Sequence, residues 1–222
     1  MYIAGRADHY LRVGLSAIRC IRRAFANPDD LNHVRAVLDF PSGYGRVLRW
    51  LRTMFGGARI SCGDIDVSAL EFCSRRFDVD TVVSSFDVET ITIPGTFDLI
   101  WCGSLLTHLD EQRTAAFLRL FYRHLSDKGV CVFTMHGRQS LEWIKSGSVT
   151  YGLSDESQAA LVTGFEAKGY GYASLAGDEY GISLAAPPWT DAAARLVGPW
   201  KRVLFEEQGW DNHQDVYAFG RA

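Results

Sequence analysis

The sequence predicts an α/β protein with a doubly wound, mostly parallel sheet. Three observations carry this prediction. Apolar segments and amphipathic helical segments alternate along residues 34–137, which is the pattern of right-handed βαβ crossovers. A glycine-containing loop at residues 41–45 joins the first strand to a helix, as in folds that hold a nucleoside at the carboxyl edge of a parallel sheet. Two strand-like segments close the chain and predict an antiparallel hairpin.

The predicted elements begin with an amphipathic N-terminal helix, because apolar residues from Leu11 to Phe25 recur near helical spacing while arginines occupy the other faces. Five strands follow, at residues 34–41, 59–65, 81–86, 97–103 and 130–135. A turn is predicted at residues 126–129. Further helices are predicted at residues 44–55, 68–77, 112–125, 155–168 and 192–196. The final hairpin is predicted from strands near residues 202–207 and 216–220.

Composition limits the class of protein. The 222 residues suit one domain, and 47% hydrophobic with 22% charged residues is ordinary for a soluble fold. A net charge of −3 gives no general attraction for polyanions, so nucleic acid is not a predicted partner. No apolar run approaches the roughly 18 residues that span a bilayer, so no membrane association is predicted. The arginine-rich residues 1–26 leave an organelle transit peptide as an alternative to the N-terminal helix.

Cysteine usage indicates a reducing compartment. The five cysteines are scattered without any Cys-x-x-Cys pair, and three of them lie in apolar runs where a thiol packs as a small hydrophobe. This pattern predicts a cytoplasmic protein with neither a disulfide framework nor a zinc site. No metal ligand is predicted.

Several short motifs occur in order between residues 34 and 137. They are Leu38-Asp39-x-x-x-Gly43-x-Gly45-Arg46, an acid at Asp64, Phe97-Asp98-Leu99-Ile100 leading to Leu105-Leu106-Thr107-His108-Leu109, and Leu125-Ser126-Asp127-Lys128-Gly129. In this order and spacing they resemble the motifs of class I S-adenosylmethionine-dependent methyltransferases. The resemblance implies a Rossmann-like seven-stranded sheet, mostly parallel with an antiparallel last strand. It also implies S-adenosylmethionine as cofactor and S-adenosylhomocysteine as product.

The resemblance implies one methyltransferase domain over residues 1–222. Within it we expect an N-terminal helical cap at residues 1–30 and a cofactor-binding core at residues 34–137. A variable substrate region is expected at residues 138–200 and a C-terminal hairpin at residues 201–222.

The predicted cofactor contacts lie where the first strands end. Gly43 and Gly45 lack a Cβ, so the chain can turn tightly and a ligand can lie against backbone. Asp64 follows Asp39 at close to the roughly 20-residue spacing at which an acid meets ribose hydroxyls in dinucleotide folds. Asp39 is expected to hold loop amides or the methionine ammonium of the cofactor.

Two parts of the predicted cofactor site either depart from the family pattern or have an alternative interpretation. Asp87 is expected near the adenine amine with Phe86 against the ring, although a turn cap is the alternative for Asp87. Pro41 and Ser42 stand where the family has its first glycine and its neighbour, and proline fixes φ at about −65°. The predicted cofactor-binding residues are Asp39, Pro41, Ser42, Gly43, Gly45, Asp64, Ile65, Phe86, Asp87 and Gly103.

Two histidines are the predicted catalytic residues. Methyl transfer is an in-line displacement at a sulfonium, so positioning matters most and few strictly catalytic groups are needed. A hydroxyl acceptor is helped by a general base, and histidine, with an unperturbed pKa of about 6.5, is the leading type. His136 follows the fifth strand and His108 the fourth, at the edge where α/β sites gather. The alternative is that each is a loop histidine bonded to backbone.

The predicted acceptor is a small molecule that offers an oxygen or nitrogen, with sugar-derived and natural-product compounds as one class. Tyr180-Gly181 followed by His213-Gln214-Asp215 resembles a group of bacterial methyltransferases assigned to such acceptors. Tyr180, His213 and Asp215 are therefore predicted substrate contacts. The alternative for residues 211–215 is a polar hairpin connection.

Other functions stay open at this stage. A nicotinamide-dependent dehydrogenase begins with the same turn, but its third glycine would fall at position 48, which is Leu. A nucleic-acid methyltransferase is opposed by the acidic balance and by the absence of an Asn/Asp-Pro-Pro-Tyr/Phe motif after the fourth strand. Protein substrates, and a degenerate non-catalytic protein that binds the cofactor, are further alternatives.

Overall fold

A computed structural model describes residues 7–175 and 180–222. Its strands are β1 (Ala36–Asp39), β2 (Arg59–Asp64), β3 (Asp80–Val83), β4 (Phe97–Cys102), β5 (Leu125–Met135), β6 (Tyr170–Ser174), β7 (Gly181–Ala185), β8 (Trp200–Trp210) and β9 (Gln214–Arg221). Its α-helices are α1 (Ala7–Ala24), α2 (Leu48–Met54), α3 (Val67–Phe77), α4 (Glu111–His124), α5 (Arg138–Lys145), α6 (Asp155–Lys168) and α7 (Pro187–Val197).

The central sheet has seven strands in the order β3-β2-β1-β4-β5-β9-β8. Strands β1 to β5 pair in parallel, whereas β9 is antiparallel to both β5 and β8. Asp39 stands opposite Cys62 on one side and Trp101 on the other, so the carboxyl ends of β1, β2 and β4 lie level at one edge. The predicted mostly parallel sheet with an antiparallel last strand is confirmed.

Helices cover both faces of the sheet because neighbouring strand residues point to opposite sides. Leu38 and Phe133 pack with residues of α4 in one apolar core. Val37 and Val132 pack with residues of α1 and α2 in the other. Strands buried on both faces explain the near-continuous apolar runs in the sequence.

Helix α1 is docked firmly onto the sheet. Its buried face carries Ala17 and Ile21, whereas Leu11, which the spacing placed on the apolar stripe, is exposed. The Trp210 indole donates to the Val13 carbonyl at 3.0 Å, and Arg23 forms an ion pair with Glu206 at 2.7 Å. The predicted N-terminal helix is confirmed from residue 7, and the rest of the predicted cap, residues 1–6, lies outside the described residues.

Several elements differ from their predicted extent. Helix α2 begins at Leu48 because residues 43–47 form turns in which Gly43 and Gly45 have positive φ angles of 48° and 75°. Helix α7 begins at Pro187, since proline suits the first turn of a helix. Strand β5 extends back through the predicted turn at residues 126–129 and pairs with β4 across an irregularity. Helix α6 has the predicted bounds.

Helix α5 and the β6–β7 hairpin were not predicted. Helix α5 spans only eight residues, so its apolar pattern is short. Strands β6 and β7 form a separate two-stranded antiparallel sheet. Gly171 in β6 lies against α6, because a Cβ there would stand 2.0 Å from the Leu161 carbonyl oxygen. A glycine needed for close packing in a strand is easily mistaken for a turn glycine.

Three general properties of the described residues complete the fold. All five cysteines are buried with free thiols. No α-helix in the described ranges combines the length and apolar character needed to cross a bilayer. Across residues 7–175 and 180–222, no three potential metal ligands converge as a metal site would require.

Gly14 tests the docking of α1. Replacing glycine by alanine within a helix normally adds about 1 kcal/mol of stability. Here the new Cβ would stand 2.4 Å from the Arg46 carbonyl oxygen and 2.6 Å from the Trp50 ring, so we expect Gly14→Ala to destabilise the fold by about 1–3 kcal/mol. Urea unfolding measures the change. Gly57→Ala, with no atom within 4 Å of its new Cβ, is the control, and equal stability of both variants would contradict the packing.

Candidate functional site

A cavity of about 1090 Å³ opens at the carboxyl edge of the sheet. Its walls come from the loop after β1, from Asp64 and Asp66 after β2, and from Gly103 and Ser104 after β4. Helix α1 contributes the remaining side through His9 and Tyr10. Ligands of open α/β sheets bind at this edge, and the volume is at the upper end of what small-ligand sites have.

The loop after β1 is held in place by hydrogen bonds to β2. The Ser42 amide donates to the Gly63 carbonyl at 2.8 Å, and the Gly43 amide donates to Asp64 Oδ2 at 2.7 Å. Asp64 Oδ1 accepts the Asp66 amide at 2.9 Å, so this buried carboxylate fastens two backbone segments at once. Each carboxylate oxygen has a second lone pair, which leaves Asp64 free to accept from a ligand.

Gly43 and Gly45 have different structural roles in the loop. A Cβ on Gly43 would meet no atom within 4 Å, so this residue leaves open space on the cavity side of the loop. A Cβ on Gly45 would stand 2.6 Å from the Phe77 ring, so this residue permits close packing of the loop on α3. The peptide between Phe40 and Pro41 is cis, and Pro41 lines the cavity.

Asp39 is buried at the end of β1 beneath this loop. It is 1% exposed, and neither carboxylate oxygen has a hydrogen-bond partner of good geometry among the described residues. Burial raises its pKa well above 3.8, Cys62 and Asp64 raise it further, and the backbone of Leu48 only partly offsets them. A buried carboxyl without a partner is costly, and a cation brought close to it would relieve that cost.

The remaining predicted cofactor residues divide into cavity-lining and surface positions. Ser42 and Gly103 line the cavity together with Pro41. Ile65 and Phe86 are half exposed at the surface. Asp87 is exposed, and its Oδ1 accepts the Glu89 amide at 3.3 Å as the cap of a short 3-10 turn at Val88–Thr90. The contact of Asp87 with adenine stays a prediction.

His136 is buried at the centre of an aromatic cluster. It is 2% exposed, and its ring centre is 5.2 Å from that of His213, 4.8 Å from that of Tyr151 and 6.3 Å from that of His108. Burial lowers the pKa of His136 to about 3, the nearby histidines lower it further, and the backbone of Ser183 opposes the shift. The imidazole is consequently neutral, and its basicity is far below that of an efficient general base.

His108 has a more favourable arrangement for proton transfer. Its Nδ1 is 2.9 Å from the Gly181 carbonyl oxygen, which can only accept, so Nδ1 carries the proton and Nε2 keeps its lone pair. Burial lowers the pKa of His108, and this backbone bond opposes the shift. The Tyr180 ring stacks on the imidazole at 4.3 Å with an angle of 15° between the planes.

Tyr180 covers the His108 side of this cluster and keeps a half-exposed side chain. Burial raises the pKa of its phenol, and the negative charge of Asp64 raises it further.

The structure separates His213 from Asp215. His213 Nε2 and the Tyr151 hydroxyl are 2.8 Å apart, and burial lowers the pKa of this histidine while Asp211 opposes the shift. Asp215 lines a second cavity of about 370 Å³, where Oδ1 accepts the Gln208 amide at 2.9 Å. His213 lies in the turn before β9, whereas Asp215 lies within the strand, so strand alternation does not place the two side chains on one face.

Sequence patterns alone missed part of the cavity wall. The guanidinium groups of Arg46 and Arg49 lie 5.2 and 5.0 Å from the centre of the Tyr10 ring, and Arg49 also donates to the Gly45 carbonyl at 3.1 Å and to the Tyr10 hydroxyl at 3.3 Å. Ser104 and Trp210 also line the cavity. Arg46 ends the loop motif but was not predicted as a cavity residue, and Arg49, Ser104 and Trp210 belong to no recognisable motif, because α1 and the final hairpin come together with the loop only in the folded chain.

Comparison with known proteins agrees with this arrangement. A family model described as a methyltransferase domain matches residues 37–129. No functionally curated protein sequence matches the chain. Among solved structures, an S-adenosylmethionine-dependent methyltransferase from Clostridium acetobutylicum is similar, with 11% identity, a TM-score of 0.64, and coverage of 98% of this chain and 95% of the other.

Two further solved structures share the fold over most of their length. DesVI from Streptomyces venezuelae has 14% identity and a TM-score of 0.65, with 100% of each chain covered. A complex of DhpI with S-adenosylhomocysteine has 15% identity and a TM-score of 0.60, with 99% of this chain and 89% of the other covered. At identities this low, the TM-scores establish that this chain shares the fold of each of the three structures.

Asp215 predicts a specific pH dependence of stability. Burial raises its pKa from 3.8 to about 6, so the folded protein holds this proton more tightly than the unfolded chain. That contribution is fully present below about pH 4 and is lost as the pH rises through about 6. Asp215→Asn removes it, so we expect the variant to gain about 1–3 kcal/mol relative to the wild type between about pH 4 and pH 8. Urea unfolding at both pH values measures the gain, and parallel curves for the two proteins would contradict the assignment.

Proposed function

We propose that this chain is a class I S-adenosylmethionine-dependent methyltransferase that methylates an oxygen or nitrogen of a small-molecule acceptor, in keeping with the methyltransferase-domain model that matches residues 37–129. The observation that carries the proposal is that one short segment after β4 contributes both to the cavity wall and to the histidine cluster. Ser104 lines the cavity, and the chain then turns directly into the segment that presents His108. A cavity wall and a group able to take a proton thus follow each other closely along the chain.

The cavity fits the cofactor chemically. S-adenosylmethionine supplies a methyl group on a positively charged sulfur. Asp39 offers an unpartnered buried carboxyl that an ammonium group would satisfy, and Gly43 leaves room beside the loop backbone. Asp64 keeps lone pairs for ribose hydroxyls while it holds the loop. Arg46 and Arg49 provide positive charge for a carboxylate.

His108 is the residue that we assign as general base. Its Nδ1–H bond to Gly181 fixes the tautomer, which leaves Nε2 to accept the acceptor proton as the methyl group is transferred. Within the described residues Nε2 has no hydrogen-bond partner of its own. A pKa below the ordinary value keeps the nitrogen unprotonated near neutral pH.

The rest of the cluster positions the acceptor. His136 stays neutral and lies at the centre of the rings, where it fixes their packing. The Tyr151 hydroxyl bonds to His213, and Tyr180 offers a half-exposed flat face beside His108. Aromatic faces of this kind suit a ring or the apolar face of a sugar.

In this proposal each predicted segment of the chain contributes a different part of the site. Residues 34–137 hold the cofactor and supply both the proposed base His108 and the packing residue His136. Residues 138–200 contribute Tyr151 and Tyr180, and residues 201–222 contribute His213. The net charge of −3 favours a small acceptor over a nucleic acid. Asp215 is not part of this acceptor site.

Asp64 tests the cofactor site. Asp64→Asn replaces one acceptor oxygen by an amide, so it loses either the Gly43 bond or a ribose bond, and we expect S-adenosylhomocysteine to bind about 10- to 100-fold more weakly. Calorimetric titration measures the dissociation constant. Asp80→Asn, an exposed change at the start of β3, is the control. Unchanged affinity in the Asp64 variant would remove this residue from the site.

His108 tests the proposed base. With an acceptor found by screening hydroxyl- and amine-bearing compounds with radiolabelled cofactor, we expect His108→Gln to lower kcat about 100-fold or more. The wild-type rate should rise with pH through a pKa below 6.5 and then stay level, and the rate of the variant should not show this rise. The control is His124→Gln, since His124 Nδ1 also contacts a backbone oxygen, at 2.8 Å from Gly95. A normal rate in the His108 variant would contradict the assignment of His108 as the general base.

A further inference from the structure

Ser104 adopts an unusual backbone conformation on the cavity wall. Its φ angle is +60°, in the left-handed region that side chains other than glycine rarely adopt. The residue directly follows Gly103 at the end of β4 and lines the cavity. Strain of this kind persists when surrounding interactions hold it, and it is concentrated at functional sites.

Two buried side chains hold Ser104 in this conformation. The Ser104 amide donates to Thr134 Oγ1 at 2.8 Å, and the Thr134 hydroxyl donates to Gln214 Oε1 at 2.6 Å. Gln214 Nε2 then donates to Ser104 Oγ at 3.0 Å. The ring of three hydrogen bonds joins the ends of β4, β5 and β9.

The direction of each bond follows from the chemistry of the groups. Thr134 Oγ1 already accepts the Ser104 amide, so its own proton must be donated elsewhere, and Gln214 Oε1 is the acceptor that it reaches. This orients the Gln214 amide group with its nitrogen toward Ser104. With Gln214 turned the other way, the Thr134 proton would be buried without a partner.

Ser104 Oγ therefore accepts from Gln214 and keeps its own proton. That proton is not used inside the ring, and the residue lines the cavity. On the basis of the proposed function, we propose that Ser104 is a positioning residue whose hydroxyl donates a hydrogen bond to an oxygen of the molecule held there. Two sources supply such an oxygen, the carboxylate of the cofactor and the attacking oxygen of a hydroxyl acceptor.

The test separates strain from function. Ser104→Gly relieves the left-handed strain and removes the hydroxyl, so we expect a higher melting temperature together with weaker function. Asp78→Gly is the matched control, because Asp78 also has a positive φ angle, of 53°, but caps the far end of α3. We expect it to raise the melting temperature with S-adenosylhomocysteine affinity and methyl transfer unchanged.

Two binding probes identify the oxygen. If it belongs to the cofactor, Ser104→Gly weakens S-adenosylhomocysteine about 10-fold and leaves methylthioadenosine, which has no carboxylate, unaffected. If it belongs to the acceptor, both affinities stay unchanged while KM for a hydroxyl acceptor rises about 10-fold. Either result supports the proposal.

Gln214→Glu provides a second variant that retains the Ser104 hydroxyl. The new carboxylate only accepts, so the hydroxyl must donate to it and turns away from the cavity. We expect the same defect as in Ser104→Gly. Normal affinities and normal methyl transfer in Ser104→Gly would overturn the proposal, whereas a wild type that binds no S-adenosylhomocysteine would overturn the proposed function instead.

Discussion

The hydrogen bonds between Asp64 and the loop amides are the constraint on which the cavity at the sheet edge depends. Level ends of β1 and β2 bring the carboxylate within 2.7 Å of the Gly43 amide, and a second bond holds Asp66. The Asp64 side chain thereby fixes the loop after β1 and the segment after β2, which form two walls of the cavity. The loop can follow this path because Gly43 adopts a positive φ angle and Gly45 lies against Phe77. The shape of the cavity is thus set by backbone geometry before any ligand arrives.

Burial divides the histidines into different roles. His136, central and almost fully covered, is held neutral, with a pKa of about 3, whereas His108 combines a fixed tautomer with a free nitrogen and a smaller covered surface. The antiparallel placement of β9 matters here, because it brings His213 beside His136 and Gln214 to Ser104. His213 and Gln214 therefore complete the aromatic cluster and hold Ser104 on the wall of the cavity.

Much of the core followed from the sequence because its signals are local. Alternating apolar strands and helices predicted the mostly parallel sheet, and the glycine loop and the acid after the second strand predicted the edge at which the cavity lies. The β6–β7 hairpin, helix α5 and the association of α1 with the loop did not follow, since each depends on packing between distant segments. The same is true of the Ser104 ring, whose members are separated in the chain by up to 110 residues. Asp87 shows the reverse case, in which a local capping preference determines where the side chain bonds.

The most direct test of the central claim is calorimetric titration of the purified protein with S-adenosylmethionine, S-adenosylhomocysteine and NAD in parallel. The cavity chemistry, with a lone buried carboxyl at Asp39 and a loop that lacks a third glycine, predicts micromolar binding of the two adenosyl ligands and no binding of NAD. Binding of NAD alone, or of none of the three, would contradict the assignment of this cavity as a methyl-donor site.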